Sequence, residues 1–486
     1  MVFSSLFFVC AFLPLCLLVY VLMPGMKAKN ISLLVFSLIF YAWGEPKYVL
    51  LLALMALFDW YFALRVERSE TSTEAKRWVI AACVVDLGLI GWFKYSALFA
   101  SLFGTVPGFI ARITLPIGIS FYTFQLLTYV IDVYRGDAEA QESYFNVLLY
   151  ASLFHQCIAG PIVRYKTIAY ELFVERDPYS DMVSGVQRFV VGLAKKVILA
   201  NAMGSLADNI LMTDAQLANA AAFEQNLAAL TGLPILAVWV GVVAYGLQIY
   251  LDFSAYSDMA IGMGRMIGLH YLENFDYPYI ARSITEFWRR WHMSLGTFFR
   301  DYVYIPLGGN RCSRLRHLFN MFVVWALTGL WHGASWNFLF WGLYFFVFLM
   351  LEKLFLKKLL DKLPVLSNLY TLLVVFIGWI LFRNSNMQLG LAVFRGLFGL
   401  NGNPFTNFAA TTLVKNNLYI LIFSCIASTP ALRFICNKLG GLLEKSRGGK
   451  AVWTVLSCVL LPVVLLVLST MGLVGNSYNP FIYFQF

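Results

Sequence analysis

The feature that most constrains this chain is a succession of long apolar runs from one end to the other. A helix that crosses a lipid bilayer needs about 20 mostly apolar residues, and such runs include 2–23, 78–103 and 232–253. Hydrophobic residues make up 60% of the chain and charged residues 13%, against roughly 45–50% and 25% in a soluble domain. The sequence therefore predicts an all-α polytopic membrane protein in which residues 1–486 form a single membrane domain.

The candidate spanning segments differ in length, and several are too short to cross a bilayer unaided. Half-helices and re-entrant segments are tolerated where protein surrounds them, so we expect about 11 crossings. The first run lacks a positively charged segment before it and is longer than a signal-peptide core, which predicts a retained transmembrane helix. The candidate segments are 2–23, 31–44, 47–65, 78–103, 113–133, 144–158, 185–203, 232–253, 318–331, 335–352, 368–383, 415–430 and 451–474.

The net charge of +10 has two interpretations, basic loops on the cytoplasmic face or a surface that binds nucleic acid. Membrane insertion favours basic cytoplasmic loops, and no basic run accompanies a soluble domain, so we expect no nucleic-acid partner. The cysteines, such as Cys10, Cys83, Cys157 and Cys458, lack a C-x-x-C spacing and are interpreted as small buried hydrophobes. The histidines also lack the spacing of zinc motifs, so we expect no metal site.

Two basic clusters flank the apolar segment 318–352. If both clusters are cytoplasmic, the chain must cross and return within 35 residues, which is too few for two helices of about 20 residues and a turn. The sequence therefore predicts a hairpin that turns within the membrane at Gly333-Ala334-Ser335, with His332 at its apex. The clusters are Arg311, Arg314, Arg316 and His317, and Lys353, Lys357, Lys358 and Lys362.

Residues 251–317 are more polar than the segments before them. This stretch is rich in aromatic and turn residues, which favours an interfacial or re-entrant cap over a cavity. Its first residues, Asp252, Ser254, Tyr256 and Asp258, form a polar cluster. The cluster could line the acceptor side of a substrate site, or it could be a hydrogen-bonded network that holds a broken helix. Glycines 262, 264 and 268 would allow close helix packing.

Two histidines, His332 and His292, each adjoin a tryptophan within or beside an apolar segment. Ionisable side chains at membrane depth are expensive and indicate function, and a neutral imidazole can take a proton from a hydroxyl. The alternatives are a histidine hydrogen-bonded among packed tryptophans and, for His292, an interfacial anchor. Further candidates for substrate contact are Trp291, Trp331, Asn337, Arg289 and Arg290, of which the arginines could bind donor phosphates or anchor a helix end.

Three blocks of this central region, 251–340, resemble the membrane-bound O-acyltransferase (MBOAT) family. They are Trp288-Arg289-Arg290-Trp291-His292-Met293-Ser294-Leu295, Tyr304-Ile305-Pro306-Leu307-Gly308-Gly309-Asn310 and Leu327-Thr328-Gly329-Leu330-Trp331-His332-Gly333-Ala334-Ser335-Trp336-Asn337. Three other stretches are similar to its bacterial alginate O-acetyltransferase branch. They are Met1–Ser5, Ile158–Tyr165 and Ser477–Phe484.

The resemblance implies a ring of tilted transmembrane helices with re-entrant segments around a central tunnel. It implies that His332 is catalytic and that His292 occupies a second motif position, often Asn in eukaryotic members. By this resemblance, His332 would deprotonate or orient the nucleophile that accepts the acyl group, near the membrane midplane. His292 would polarise the thioester or hold the acceptor. No bound cofactor is expected.

The same resemblance implies a location, a donor and partners. The protein would lie among the lipids of the bacterial cytoplasmic (inner) membrane as a multi-pass protein. It would take an acetyl group from acetyl-CoA or an acyl-carrier thioester and deliver it to an extracytoplasmic SGNH-type partner that acylates a polysaccharide, such as an alginate-type exopolysaccharide or peptidoglycan. The alternative is D-alanyl or other acyl transfer from a carrier protein to teichoic acid.

Two other function classes remain open from the residues alone. A transporter or lipid-moving protein would also bury His and Asp in apolar surroundings, but paired broken helices of the kind found in inverted repeats are not visible. A partner scaffold without chemistry of its own is the third class. Acyl transfer from a labelled donor distinguishes the three.

Overall fold

A computed structural model of the protein describes residues 1–158, 160–174, 176–177, 179–212, 222–475 and 478–480. Throughout these residues the regular structure is helical, as the apolar runs predict. Two of the stretches that carry the family resemblance lie partly outside the described residues. These are Ile158–Tyr165, which contains Ala159, and Ser477–Phe484, of which Ser477 and 481–484 are not described.

The chain forms two compact units. The first comprises Met1–Leu193 and Tyr256–Glu273. The sequence predicts a single domain, and that assignment stays a prediction. The helices that begin in the first unit are α1 (Leu13–Leu22), α2 (Gly25–Gly44), α3 (Tyr48–Glu67), α4 (Ser72–Ile90), α5 (Ser96–Ser101), α6 (Gly108–Ala111), α7 (Ile119–Tyr134), α8 (Tyr144–Ser152), α9 (Phe154–Cys157), α10 (Tyr165–Phe173) and α11 (Met182–Ala194).

The second unit comprises Ala194–Ala255 and Asn274–Phe486. It contains the two histidines of the candidate site. The helices that begin in it are α12 (Asn201–Leu211), α13 (Phe223–Thr231), α14 (Ile235–Met266), α15 (Ile284–Arg290), α16 (Met293–Phe299), α17 (Arg314–His332), α18 (Trp336–Leu351), α19 (Lys357–Leu360), α20 (Pro364–Arg383), α21 (Met387–Leu397), α22 (Phe408–Ala427), α23 (Ala431–Leu443), α24 (Arg447–Val455) and α25 (Leu461–Gly475).

Eight helical segments within the described residues are long and apolar enough to cross a membrane. Some of them join two helices through a π-helical turn; Lys195–Ala200, for example, links α11 to α12 without a break. Two further apolar helices, Phe8–Leu22 and Met387–Leu397, are shorter. The eight are Tyr48–Glu67, Ser72–Ser101, Met182–Leu211, Ile235–Met266, Trp336–Leu360, Pro364–Arg383, Phe408–Ala427 and Arg447–Gly475.

Helix α14 corrects the predicted end of a span at residue 253. It continues without interruption to Met266, so the polar cluster lies on a regular helix and not on a broken one. Its carboxylates are paired with basic side chains, as described below, which removes the main cost of placing charge on an apolar helix. Gly262 does allow close packing, because a Cβ there would lie 2.7 Å from the carbonyl oxygen of Gly185.

The predicted hairpin is formed by α17 and α18, which turn at Gly333-Ala334-Ser335. Two glycines let the helices touch: a Cβ on Gly329 would lie 2.3 Å from the carbonyl oxygen of Phe338, and a Cβ on Gly342 would lie 2.3 Å from that of Trp325. The two basic clusters meet at the open end, where Lys353 Nζ lies 2.7 Å from His317 Nε2. Whether the turn lies within the bilayer stays a prediction.

The cysteines are less buried than the sequence predicts. Cys157 is buried, as expected, but Cys10 is exposed and Cys83 and Cys458 are partly exposed. Each of the exposed positions lies on a helix whose outer surface is apolar, and a thiol is accommodated there as a small hydrophobic side chain. The prediction of burial was therefore wrong for these three positions.

Candidate active site

His332 is the last residue of α17, immediately before the turn of the hairpin. Its side chain is buried among aromatic rings, with centroid distances of 4.9 Å to Trp341 and 5.2 Å to Phe382. Gly333 follows in an extended conformation, and a Cβ there would lie 2.3 Å from the ring of Phe338. A larger residue at this position would displace the ring of Phe338, so Gly333 lets the turn that ends α17 pack closely beside the imidazole.

Asn337 holds one wall of this aromatic enclosure. Its Nδ2 lies 3.4 Å from the carbonyl oxygens of both Leu381 and Phe382. Its Oδ1 accepts a hydrogen bond from Ser335 Oγ in the turn. The residue therefore ties the start of α18 to the end of α20, next to the ring that faces His332. A direct contact of Asn337 with substrate stays a prediction.

His292 lies between α15 and α16 in the left-handed region, with φ 44° and ψ 53°. A residue with a Cβ rarely adopts this conformation, which costs on the order of 1–3 kcal/mol and is frequent at functional sites. The side chain is 2% exposed. Burial lowers the pKa of His292 to about 3, so its imidazole is neutral at physiological pH.

Asn274 orients the imidazole of His292. Its Oδ1 accepts from Ser294 N at 3.1 Å and from Ser294 Oγ at 2.9 Å, which identifies this atom as the amide oxygen. The same oxygen lies 3.2 Å from His292 Nδ1. An oxygen acceptor there requires a proton on Nδ1. In the neutral ring Nε2 therefore carries the lone pair and acts as a hydrogen-bond acceptor.

Trp331 connects the two histidines. Its ring centroid lies 4.9 Å from that of His332 and 5.7 Å from that of His292, and it meets both imidazoles edge to face. The two histidines, which are 40 positions apart in the sequence, therefore border one tryptophan in the second unit. On its other side His292 meets the ring of Phe253 at 4.7 Å.

The short helix α15 leads to His292 and is fixed at both ends. At its start Glu352 accepts from Ile284 N at 2.5 Å, from Thr285 N at 2.9 Å and from Thr285 Oγ1 at 2.8 Å. The glutamate is 1% exposed. A carboxylate at a helix N-terminus satisfies unpaired backbone N–H groups and is favoured by the helix dipole. Glu352 therefore anchors the helix that carries His292 at its end.

Of the three other candidates around His292, Trp291 and Arg290 have structural contacts. Trp291 is buried in the aromatic core, 4.9 Å from Trp379. Arg290 pairs with Asp276 at 2.8 Å and with Glu286 at 2.9 Å, which holds α15 to the preceding loop. Arg289 is exposed. The position of Arg290 favours the anchoring interpretation; donor-phosphate binding by either arginine stays a prediction.

The polar cluster on α14 is divided among separate partners. In the second unit, Asp252 pairs with Lys196 at 2.9 Å. In the first unit, Tyr256 Oη lies 3.1 Å from Ser4 Oγ, and Asp258 pairs with Arg188 at 3.0 Å. Each of the three thus ties α14 to another part of its own unit. These contacts favour the structural alternative, and a role of Asp252, Tyr256 or Asp258 in lining the acceptor side stays a prediction.

The remaining histidines belong to other environments. His155 is buried with Nδ1 2.6 Å from Tyr271 Oη. His270 lies between two carboxylates, with Nδ1 2.5 Å from Glu171 and Nε2 2.6 Å from Asp181. Each ring nitrogen of His270 thus faces a carboxylate oxygen, an arrangement that only the doubly protonated imidazolium satisfies.

Several residues that position the histidines were not predicted from the sequence. The main ones are Asn274 and Glu352, with Phe253, Trp341 and Phe382 as the aromatic walls. One signal was available: Glu352 is the single acidic residue in the apolar segment 335–352, and an isolated acid in such a segment indicates a specific partner. Asn274 had no comparable signal because it lies in a stretch rich in turn residues.

Comparison with known proteins shows the family to which the chain belongs. Residues 140–393 match the model of the MBOAT, membrane-bound O-acyltransferase, family. Over the whole of both chains, the protein is 35% identical to a probable alginate O-acetylase of Pseudomonas aeruginosa. It is 29% identical to a peptidoglycan O-acetyltransferase of Helicobacter pylori, with all of this chain and 98% of the relative covered. It is 30% identical to a teichoic acid D-alanyltransferase of Streptococcus thermophilus over 50% of this chain and 58% of the relative.

Proposed function

Because the chain belongs to the membrane-bound O-acyltransferase family, we propose that it moves an acetyl group from a cytoplasmic thioester donor across the membrane for O-acetylation of an extracytoplasmic polysaccharide. The protein is an O-acyltransferase and a multi-pass membrane protein. We assign it to the bacterial cytoplasmic membrane. The observation that carries the proposal is the pair of buried histidines, His332 and His292, bordering one tryptophan ring.

His332 is the general base of the proposed reaction. Its imidazole takes the proton of the acceptor hydroxyl as the hydroxyl oxygen attacks the thioester carbonyl carbon. The carbon–sulfur bond then breaks, and the imidazolium returns the proton to the departing thiolate. The products are an ester and a free thiol, so no redox partner or further co-reactant is needed. Rings on several sides of His332 would limit access of water, which suppresses hydrolysis of the thioester.

His292 holds the acceptor in this mechanism. Polarising the thioester carbonyl would require a donor on the outer ring nitrogen, whereas the contact of Nδ1 with Asn274 leaves Nε2 as an acceptor. An acceptor nitrogen suits a second donor group of the acceptor molecule, such as a neighbouring hydroxyl, because the proton of the attacking hydroxyl goes to His332. Of the two roles that the family resemblance implies for this histidine, the geometry thus favours the second.

The acetyl group, the acceptor and the partner are proposed from the relatives. The match over full length to a probable alginate O-acetylase and a peptidoglycan O-acetyltransferase supports acetyl transfer toward an alginate-type exopolysaccharide or peptidoglycan. The match to a teichoic acid D-alanyltransferase covers half of the chain, which makes D-alanyl transfer the second candidate. Acetyl-CoA or an acyl-carrier thioester would be the donor, and an SGNH-type protein outside the membrane would receive the group.

Purified protein with radiolabelled acetyl-CoA tests the function class. Production of free CoA together with a labelled ester on an added hydroxyl acceptor would support an acyltransferase that uses this donor. If acetyl-CoA gives no product, acetyl- and D-alanyl-carrier proteins are supplied in turn, and activity with the D-alanyl carrier alone would replace the acetyl proposal. Movement of label between vesicle compartments without any new ester would favour a transporter and contradict the proposal.

A further inference from the structure

We propose that residues 478–480, which follow the last helix and are called the strap below, position the walls of both histidines for catalysis. This inference rests on the proposed acyl transfer. All three strap residues contact polar side chains of the second unit: Tyr478 contacts Asp208, Asn479 contacts Asn201, and Pro480 contacts Lys196. The contacts form two anchors. Each anchor contains a residue that is next in the sequence to an aromatic residue whose ring contacts one of the two histidines.

The first anchor is the buried ion pair of Lys196 and Asp252. Both side chains are 1% exposed, with Nζ 2.9 Å from Oδ1. Burying such a pair is costly unless the remaining donors and acceptors are also hydrogen-bonded. A lysine ammonium has three donors, and the carbonyl oxygen of Pro480 accepts one of them. The strap therefore stabilises a charge that would otherwise be poorly accommodated at this depth.

The second anchor is Asp208. Its Oδ2 accepts from Tyr478 Oη at 2.6 Å, and its Oδ1 accepts from Arg383 Nη2 at 2.8 Å. The tyrosine hydroxyl fits because residue 204 is a glycine: a Cβ there would lie 2.9 Å from that oxygen. Between the anchors, Asn201 Nδ2 lies 3.3 Å from Asn479 Oδ1. The strap is thus attached along its whole length.

Each anchor adjoins a residue whose ring touches one histidine. Asp252 precedes Phe253, and the ring of Phe253 lies 4.7 Å from His292. Arg383 follows Phe382, and the ring of Phe382 lies 5.2 Å from His332. A shift of either anchor therefore moves the backbone next to Phe253 or Phe382, and with it the ring that contacts the imidazole. Small displacements at a reacting centre lower the reaction rate strongly. The strap thus controls the rate by setting the position of both histidines, without contacting the reacting atoms.

Tyr478 is therefore a positioning residue, and Tyr478→Phe is the sharpest test. The substitution removes the hydroxyl that binds Asp208 and keeps both the ring and the Asp208–Arg383 pair. Asp208 then loses one of its two partners and the adjoining wall at Phe382 can shift, so we expect kcat for acetyl transfer to fall by about tenfold or more. The donor KM should stay within about twofold, because a positioning residue acts on the geometry of the reacting groups and not on the binding of the donor. The control is Tyr419→Phe, a tyrosine that is 87% exposed.

A reversible crosslink separates positioning from general loss of structure. In the Tyr478→Phe background, Asn201→Cys with Asn479→Cys gives two thiols on facing positions of α12 and the strap. A cysteine side chain is shorter than an asparagine, so a short bis-methanethiosulfonate reagent, which bridges the gap through two reducible disulfides, joins them. Crosslinking should restore most of kcat, and reduction should abolish the gain. Each single cysteine variant, treated with the same reagent, serves as its control. An unchanged kcat in Tyr478→Phe, or no recovery in the confirmed crosslinked form, would overturn the inference.

A second readout does not depend on acyl transfer. Ethoxycarbonylation of His292 and His332 by diethyl pyrocarbonate, followed by mass spectrometry, reports their accessibility. Both are at most 4% exposed, so we expect slow modification in the native protein and modification several-fold faster in Tyr478→Phe than in Tyr419→Phe. Faster modification with no transfer activity in any form would contradict the proposed function but support the strap. Equal modification rates would contradict the strap.

Discussion

Replacing Glu352 with glutamine should loosen the helix that carries His292. The carboxylate of Glu352 accepts two backbone N–H groups and one hydroxyl, from Ile284 and Thr285, through both of its oxygens. A glutamine has a single acceptor oxygen, and its amide nitrogen must face the donors on the other side. At least one N–H at the start of α15 therefore loses its partner while it stays buried.

The magnitude follows from these contacts. A buried donor left without a partner costs about 1–3 kcal/mol, and the lost charge at the helix N-terminus adds roughly 0.3–1 kcal/mol. We expect Glu352→Gln to destabilise the protein by about 1–4 kcal/mol. Because the unfolding entropy of a chain of 486 residues is about 1 kcal/mol/K, Tm should fall by about 1–4 °C. Because α15 ends at Arg290, two residues before His292, kcat should fall by more than the loss of folded protein explains.

Thermal unfolding in detergent, followed by tryptophan fluorescence, measures the first effect, and acyl transfer per folded molecule measures the second. The matched control is Glu444→Gln, which removes the same charge from an exposed position. If Glu352→Gln and Glu444→Gln have the same Tm and the same kcat, the proposed anchoring of α15 is wrong. A lower Tm with an unchanged kcat would refute only the link to His292.

Three further predictions follow from other parts of the structure. Asn274→Leu removes the oxygen that accepts from His292 Nδ1. We expect kcat, measured as acyl transfer, to fall by about tenfold or more. Asn274→Asp keeps an acceptor oxygen and should retain more activity. Gly342→Ala places a Cβ 2.3 Å from the carbonyl oxygen of Trp325, so the yield of folded protein in size-exclusion chromatography should fall. The control is Gly441→Ala, where a Cβ has no heavy atom within 4 Å and the yield should not change. The carboxylates of Asp181 and Glu171 raise the pKa of His270, so its stabilising charge is fully present below pH ~6.5 and is lost as pH rises through the raised pKa. Measured by thermal unfolding, Tm should fall as the pH is raised above about 6.5 in the native protein, and should fall less in His270→Gln.

The sequence predicted features that depend on local patterns. Apolar runs identified the membrane class, and the spacing of basic clusters around 318–352 predicted the hairpin of α17 and α18 with His332 at its turn. Both inferences depend on residues close together in the chain, and on properties of the bilayer that act on every segment alike. The approach of Lys353 to His317 supports the assumption that the two clusters share one side.

The sequence did not predict features that depend on distant partners. The polar residues of α14 suggested a broken helix because their partners, such as Lys196 for Asp252, lie far away in the chain. Glu352 is separated by 68 positions from Ile284, and Pro480 by 284 positions from Lys196. Pairing over such distances follows from tertiary packing, and it decides whether a polar residue in an apolar segment breaks a helix or stabilises it.

The most direct test of the account is acetyl transfer in reconstituted vesicles with labelled acetyl-CoA, and a carrier-protein thioester in parallel, on one face only. The native protein is compared with His332→Ala, His292→Ala and the control His317→Ala, whose histidine lies at the open end of the hairpin. We predict that label reaches an acceptor or partner on the far face with the native protein and His317→Ala, falls sharply with His292→Ala and is lost with His332→Ala. Transfer that survives in folded His332→Ala would contradict the assignment of His332 as the catalytic base.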